Sequence, residues 1–508
     1  MDTTALLAAL PPRISAIARQ RAAATPDAPA LHEDGRFWTY AQLAEEVNTH
    51  LVLLRQLGIR AGDRVMVVGE NSVAQVALIF AAAELDAWIV NVNARLSGAE
   101  IATIRAHSGA RRVLYTVAAS SEARQHAASD GAQTVGALMA GPLNDACAPE
   151  PVDTGNEQVA ALIYTTGTTG NPKGVMLTHR NLLFIAAVSS TLRGLTPQDR
   201  AYGVLPISHV YGLASVMLGT LYAGACLYMA PRFSAAAMLR AIHDDKLTIL
   251  QGVPAMYARL LELANGPLHS SLRFLYAGGS PLDPVLKSQV EQVFGLPLHN
   301  GYGMTESSPT ISQTRLDAPR TDTSVGSAIP GVEVRIVDEA GTSVAPGDAG
   351  ELWVRGPNVM KGYYREPALT AATMRAGGWL NTGDMARQEA DGALFIVGRT
   401  KELIIRSGFN VYPLEVETVL NAHPGVAQSA VVGRTVAGGN EEVVAFVEAD
   451  PQHAPTEAAL RDYLTQRLSP YKCPSQIVIM ASLPAAATGK ILKGRLKTLA
   501  QDMVAKKS

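Results

Sequence analysis

Short apolar runs alternate with helical patterns over the first ~400 residues, and that alternation predicts α/β layers. Val65-Met66-Val67-Val68 has no polar position and reads as a strand buried on both faces. Ala74, Ala77, Leu78 and Ala81 follow at helical spacing and put small residues on one face. Trp88-Ile89-Val90 resumes a strand. Ala118–Ala140 is rich in Ala and Ser and has little pattern. Gly141–Glu157, with its prolines and acidic residues, reads as a loop or a seam between subdomains.

From Ala201 to Pro231 there is no Asp, Glu, Lys or Arg. Tyr211–Ala230 is long enough to span a bilayer, but Gly212, Gly219 and Gly224 interrupt it, and it carries Ser215. A buried helix followed by a buried strand gives the same composition, and that is the expectation here.

After Ser324 the texture changes. Val332-x-Val334-x-Ile336 alternates, and Glu351–Val354 and Ala393–Val397 follow between glycines, so this part reads as β-rich. The last ~100 residues read as a small α+β unit. In it, Leu414–Leu420 is a helix after Pro413, and Ala430–Val432, Val443–Val447 and Ile477–Ile479 are strands. Leu460, Leu464 and Leu468 share a helical face that Thr456 caps. The expected fold class is α/β: a large multi-layered N-terminal domain with a β-rich subdomain, residues 1–399, and a small α+β C-terminal domain, residues 400–508.

A chain of 508 residues, 47% hydrophobic and 17% charged, has ample material for a large core and is not disordered. Its formal net charge of −2 excludes a chain-wide basic field for nucleic acid. Cys147, Cys226 and Cys473 lie far apart and form neither a CxxC pair nor a metal spacing. The opening residues show no basic segment followed by an apolar one, so a reducing, cytoplasmic setting is expected.

The most informative segment follows the apolar run Val159–Tyr164. It reads Tyr164-Thr165-Thr166-Gly167-Thr168-Thr169-Gly170-Asn171-Pro172-Lys173-Gly174. Its glycines let backbone N–H groups approach an anion, four threonine hydroxyls add donors, and Lys173 adds charge. That suits a polyphosphate. The P-loop pattern GxxxxGK[ST] is absent, as is a GxGxxG between a strand and a helix.

This loop resembles the signature of the adenylate-forming superfamily, which includes acyl- and aryl-CoA synthetases, luciferases and peptide-synthetase adenylation domains. Further stretches match in the expected order: Tyr276–Pro281, Gly301–Glu306, Thr382-Gly383-Asp384, Gly398–Glu402, Ser407–Asn410 and Thr488-Gly489-Lys490. The resemblance runs from about Thr25 to Lys493. It departs from the family where Ala485-Ala486-Ala487 fill a position often held by Arg.

The resemblance implies two half-reactions: a carboxylate and ATP give acyl-AMP and pyrophosphate, and a thiol then displaces AMP. It implies ATP, Mg²⁺ and coenzyme A. It makes Lys490, His209, Thr305 and Glu306 the catalytic set, with Thr166 and Glu306 at the metal. Nucleotide and CoA contacts are expected from Thr165, Thr166, Gly167, Thr168, Thr169, Gly170, Lys173, Gly278, Gly279, Ser280, Gly301, Tyr302, Gly303 and Met304. Asp384, Ile396, Arg399, Lys401, Ser407, Gly408 and Phe409 complete that set. The C-terminal domain is expected to be mobile, swinging about a hinge at 400–401, with Ser407-Gly408-Phe409 lining a pantetheine tunnel.

Pro206-Ile207-Ser208-His209 resembles the family's P-x-x-H segment, and Tyr211, Ser215, Pro309 and Thr310 are the expected acyl-pocket walls. No Asp matches an ammonium-binding residue, and no Lys or Arg stands where a second carboxylate would be held. A neutral-tailed fatty or aryl acid is the expected substrate. A free-standing ligase that loads a carrier-protein phosphopantetheine stays open as the alternative. The expected partners are small molecules, without nucleic acid or a transmembrane segment, and monomer and homodimer both stay open.

Overall fold

The computed structural model describes all residues except 167–171, 265, 407–408, 437–439, 451–452, 486–490 and 506–508. The chain folds as two compact units. One gathers Met1–Gly279, Ser288–Val334 and Val354–Leu380; the other gathers Ser280–Lys287, Arg335–Trp353 and Asn381–Ser508.

The first unit holds a nine-stranded and an eight-stranded sheet. The centre of the nine-stranded sheet is parallel and includes Arg200–Gly203, Cys226–Met229, Ile249–Gly252, Phe274–Ala277 and Leu298–Gly303. The centre of the eight-stranded sheet is parallel too, with Arg64–Gly69 between Trp88–Asn93 and Arg112–Tyr115. Every residue of Arg64–Gly69 is buried, as a strand covered on both faces must be. Val65 and Val67 face one core, whereas Met66 and Val68 face another that includes Ile101, Ile104, Ala123 and Ala127. The first of these cores also takes in nearly all of the helix Val73–Glu84 and the run Leu182–Val188 of the helix His179–Leu192, and it includes Leu31, Leu227 and Phe274 of the other sheet. Both therefore pack between the sheets, which is why Val73–Glu84 is apolar almost all round and His179–Leu192 is apolar through its middle.

The weakly patterned stretch Ala118–Ala140 is regular after all. It forms the helix Ser121–Ser129 and the strands Gln133–Val135 and Leu138–Ala140. Ser120 caps the helix by accepting from the Ala123 N–H at 3.2 Å, and its buried residues are Ala123 and Ala127. A buried face built of alanine gives little hydrophobic contrast, so periodicity does not reveal it. The uncharged stretch Ala201–Pro231 spans two buried strands around a π-helical segment, Tyr211–Leu218, and the short helix Gly219–Ala223. Among the described residues no helix is long and apolar enough to cross a membrane.

The strand Trp379–Gln388, which belongs to the second unit from Asn381 on, pairs antiparallel with Leu394–Arg399. A three-stranded sheet of Val426–Thr435, Glu441–Ala449 and Gln476–Met480 follows. Its faces alternate: Val431, Val443 and Val447 pack with Leu460 and Leu464, while Val432, Val444 and Phe446 pack with Leu496 and Ala500. Thr456 caps the helix Glu457–Thr465, accepting from the Ala459 N–H at 3.2 Å.

Candidate active site

The strands Val159–Thr166 and Pro172–Thr178 form an antiparallel hairpin with Thr165 opposite Lys173 and Thr166 opposite Pro172. Residues 167–171 between them, with the expected contacts Gly167, Thr168, Thr169 and Gly170, lie outside the described residues. The strand Gly362–Tyr363 pairs with the outer edge of this hairpin, Tyr363 opposite Val175. Tyr363 thereby joins two groups far apart in sequence. Its hydroxyl donates to Glu306 Oε1 at 2.6 Å, and the Lys173 ammonium lies 5.3 Å from its ring centroid. Burial and the Glu306 carboxylate push the Tyr363 phenol well above its usual range. Thr305 and Glu306 sit buried on a 3₁₀ turn, Thr305–Ser307, and the Glu306 carbonyl accepts from the Met360 N–H. The neighbouring Met304 N–H donates to Ser307 Oγ at 3.0 Å.

The glycines nearby are set by close packing. A Cβ on Gly301 would stand 1.8 Å from the Tyr276 hydroxyl, and one on Gly303 would stand 1.8 Å from the Pro309 carbonyl oxygen. A Cβ on Gly278 would meet the rings of Tyr276 and Tyr211 at 3.3 and 3.4 Å. Gly279 has φ +84°, where a side chain is strained. Tyr302 is half-buried beside them.

The π-helical segment shapes the acyl-pocket side. Gly212 is required there, because its Cβ would meet the Pro206 carbonyl oxygen at 2.2 Å. Tyr211 and Ser215 are both buried, and Ser215 Oγ lies 3.3 Å from Thr310 Oγ1, next to Pro309. His209 is exposed at the start of this segment, and its Nδ1 accepts from the Tyr211 N–H at 3.3 Å, leaving Nε2 as the protonated nitrogen.

A fully buried cation lies beside the π-helical segment. Arg193 follows the helix His179–Leu192, is fully buried, and donates from Nη1 to the Ser215 carbonyl at 3.4 Å and to Gln251 Oε1 at 2.6 Å. It precedes His209 by 16 residues, across a turn and a strand, so no local motif flags it. Nor does any motif flag Tyr363, 57 residues from Glu306.

In the second unit, Asp384 stands opposite Arg399, whose Nε lies 3.0 Å from Asp384 Oδ1. Asp384 is buried, and its N–H donates to Thr382 Oγ1 at 3.1 Å. Ile396 pairs with Ala386 on the same two strands. Lys401 lies on the 3₁₀ turn Thr400–Glu402, where Thr400 Oγ1 is 3.2 Å from Glu351 Oε1. Phe409 is 55% exposed and stacks on Tyr471 with centroids 4.8 Å apart. Ser280 is exposed. Ser407, Gly408 and Lys490 lie outside the described residues.

The profile of the AMP-binding enzyme family matches residues 18–364, and that of the AMP-binding enzyme C-terminal domain matches residues 415–490. Feruloyl-CoA synthase from Amycolatopsis sp is 36% identical over 489 residues, covering 94% of this chain and 97% of that one. The ATP-bound structure of MatB from Rhodopseudomonas palustris superposes with a TM-score of 0.85 at 30% identity, over 97% of this chain and 100% of that one. O-succinylbenzoate coenzyme A synthetase (MenE) from Bacillus subtilis, in complex with ATP and magnesium ion, gives 0.83 at 30% identity, over 95% of this chain and 99% of that one. The chain belongs to the AMP-binding enzyme family.

Proposed function

We propose that this chain activates a carboxylic acid with an aryl or acyl body, using ATP, and hands the acyl group to the thiol of coenzyme A. In the first step a carboxylate oxygen attacks the α-phosphorus, the bond to the bridging oxygen breaks, and pyrophosphate leaves with the electron pair. In the second, the thiol sulfur attacks the acyl carbon, the C–O bond to AMP breaks, and the thiol gives up its proton.

Two anions must meet in the first step, so positive charge and hydrogen-bond donors have to stand where charge develops. The juxtaposition of Lys173, Tyr363 and Glu306 beside the hairpin carries this reading. Lys173 and the loop from Thr165 would hold phosphate oxygens. Mg²⁺ takes one or two carboxylates together with phosphate oxygens and waters. A lone buried Glu306 suits that demand, and the described residues form no cluster of three or more metal-binding side chains. When bound, the metal would neutralise phosphate charge.

Asp384, steadied by Arg399, would accept from the ribose hydroxyls. Gly278, Gly279 and Tyr302 would border the adenine. Lys490 would bridge carboxylate and α-phosphate in the first step only, with residues 400–401 as the hinge between the two states. The three free thiols fit a reducing, cytoplasmic setting.

A pyrophosphate-release screen over a panel of acids, with and without CoA, tests the reading. Release that needs acid, ATP and Mg²⁺, with thioester formed once CoA is added, is the expected result. Turnover to ADP and phosphate would refute it, and thioester on a carrier-protein phosphopantetheine but never on CoA would refute the choice of thiol.

A further inference from the structure

Glu351 stands on the strand Ala349–Arg355, in the part that belongs to the second unit, and its two carboxylate oxygens serve different segments. Oε1 accepts from the Thr400 hydroxyl at 3.2 Å. Oε2 accepts from Asn381 Nδ2 at 3.0 Å, with the Trp353 indole nitrogen 3.5 Å away. Asn381 in turn accepts through Oδ1 from the Gly383 N–H at 2.8 Å. The carbonyl of Leu352, next along the strand, accepts from the Thr382 hydroxyl at 2.7 Å, and that hydroxyl accepts from the Asp384 N–H. Two neighbouring residues of one strand thereby hold residues 381–384.

The contacts close into a ring. Asp384 stands opposite Arg399, whose Nε lies 3.0 Å from Asp384 Oδ1, and Arg399 is joined directly to Thr400. Thr400 opens the turn Thr400–Glu402, and Lys493 holds the far end of that turn at Glu402. Lys401 thus lies between two anchored neighbours. A carboxylate that takes one donor on each oxygen fixes both donors against the same backbone. Freeing one of them loosens the frame that the other uses.

We propose that Glu351 is a positioning residue for the nucleotide step: it fixes residues 381–384 and the turn Thr400–Glu402 against one strand, so that the aim of Asp384 depends on Thr400 as well as on its own segment. The proposal rests on the ligase reading above, in which Asp384 accepts from the ribose hydroxyls.

The test is the ratio of kcat/KM for pyrophosphate release with ATP to that with 2′-deoxy-ATP and with 3′-deoxy-ATP, at one fixed acid. That ratio reports the ribose contact and cancels a general loss of active enzyme. Glu351→Ala should shrink it by about fivefold, as expected for one hydrogen bond. Glu351→Gln should keep most of it, since an amide can accept from Asn381 and donate to the Thr400 hydroxyl. Asn381→Ala and Thr400→Val should each shrink it, and the double variant should lose little more than the larger single loss, because both act through one carboxylate. Thr400→Val exchanges a hydroxyl for a methyl, so it keeps the test sound should Glu351→Ala fold poorly. A Glu351→Ala protein with lower Tm, slower with all three nucleotides alike and with the ratio intact, overturns the proposal. So does a ratio unmoved by Thr400→Val, or full additivity of the two single losses. No preference among the three nucleotides in the wild type overturns the ribose role of Asp384 and this proposal, while pyrophosphate release with ATP keeps the ligase reading. No pyrophosphate with any acid overturns the ligase reading and this proposal with it.

Discussion

Replacing Lys493 by methionine keeps an unbranched apolar stem and removes a charge that two carboxylates share. The Lys493 ammonium lies 2.8 Å from Glu417 Oε1 and 3.0 Å from Glu402 Oε2. Burial acts to lower its pKa, but the two carboxylates outweigh that and hold it above the ordinary lysine value. Glu417 is buried on the helix Pro413–Asn421 and also accepts from the Val431 N–H at 2.7 Å. Burial raises its pKa, Lys493 opposes the rise, and Glu402 adds to it. Without Lys493 the carboxylates face each other, and among the described residues that N–H is what remains in compensation. Breaking a buried pair from one side costs about 3–5 kcal/mol. Glu402 is partly solvated, with 36% of its side chain exposed, so the lower end applies, about 3 kcal/mol. At about 2–4 °C per kcal/mol for a unit of this size, Tm should fall by roughly 6–12 °C near neutral pH.

The pH dependence gives the sharper check. Glu417 has a raised folded-state pKa, so the folded state binds its proton more tightly than the unfolded state does. Its contribution is complete below the ordinary value of 4.5 and is lost as pH rises through the folded-state value. Removing Lys493 moves that value further up, so the loss extends to higher pH. The Tm deficit of Lys493→Met should be small near pH 5 and full at pH 8, measured by scanning calorimetry on both proteins. Glu417→Gln in the Lys493→Met background should recover most of it at pH 8. An equal deficit at both pH values, or no recovery, would refute the reasoning.

Tyr363→Phe strips the donor from Glu306 and should raise the Mg²⁺ concentration for half-maximal pyrophosphate release by about tenfold; an unchanged requirement would remove Glu306 from the metal site. Lys490→Ala should slow acyl-AMP formation by a hundredfold or more, on the order of 3 kcal/mol, and spare thioester formation from preformed acyl-AMP; equal losses in both, assayed separately, would contradict its restriction to the first step. Lys401→Pro should do the reverse, since proline fixes φ at the residue proposed as the pivot; thioester made at the normal rate by a well-folded variant would show that Lys401 is not the pivot.

Local chemistry was the legible part. Val65–Val68 announces a doubly covered strand because none of its side chains could face water, and Thr456 announces a helix start because its hydroxyl answers an orphan N–H. Asp384 and Arg399 each sit in a short motif, and the structure pairs them across neighbouring strands. What stayed hidden depends on distance along the chain or on weak contrast. The helix Ser121–Ser129 buries only alanines, so its apolar face differs little from its polar one. Tyr363 looks like one of two consecutive tyrosines until its strand pairs with the hairpin edge and its hydroxyl meets Glu306.

Arg193 shows why a buried charge is harder to read than a buried strand. In sequence it stands at a helix end beside Gly194, where an arginine ordinarily favours the helix dipole and reaches solvent. Nothing local marks it as a residue that burial will claim. Burial reverses the inference. A solvated guanidinium needs no partner, whereas this fully buried one is held by the Ser215 carbonyl, the Gln251 side-chain oxygen and the face of Tyr276. The nearest of those partners along the chain, Ser215, is 22 residues away, so no local pattern announces them.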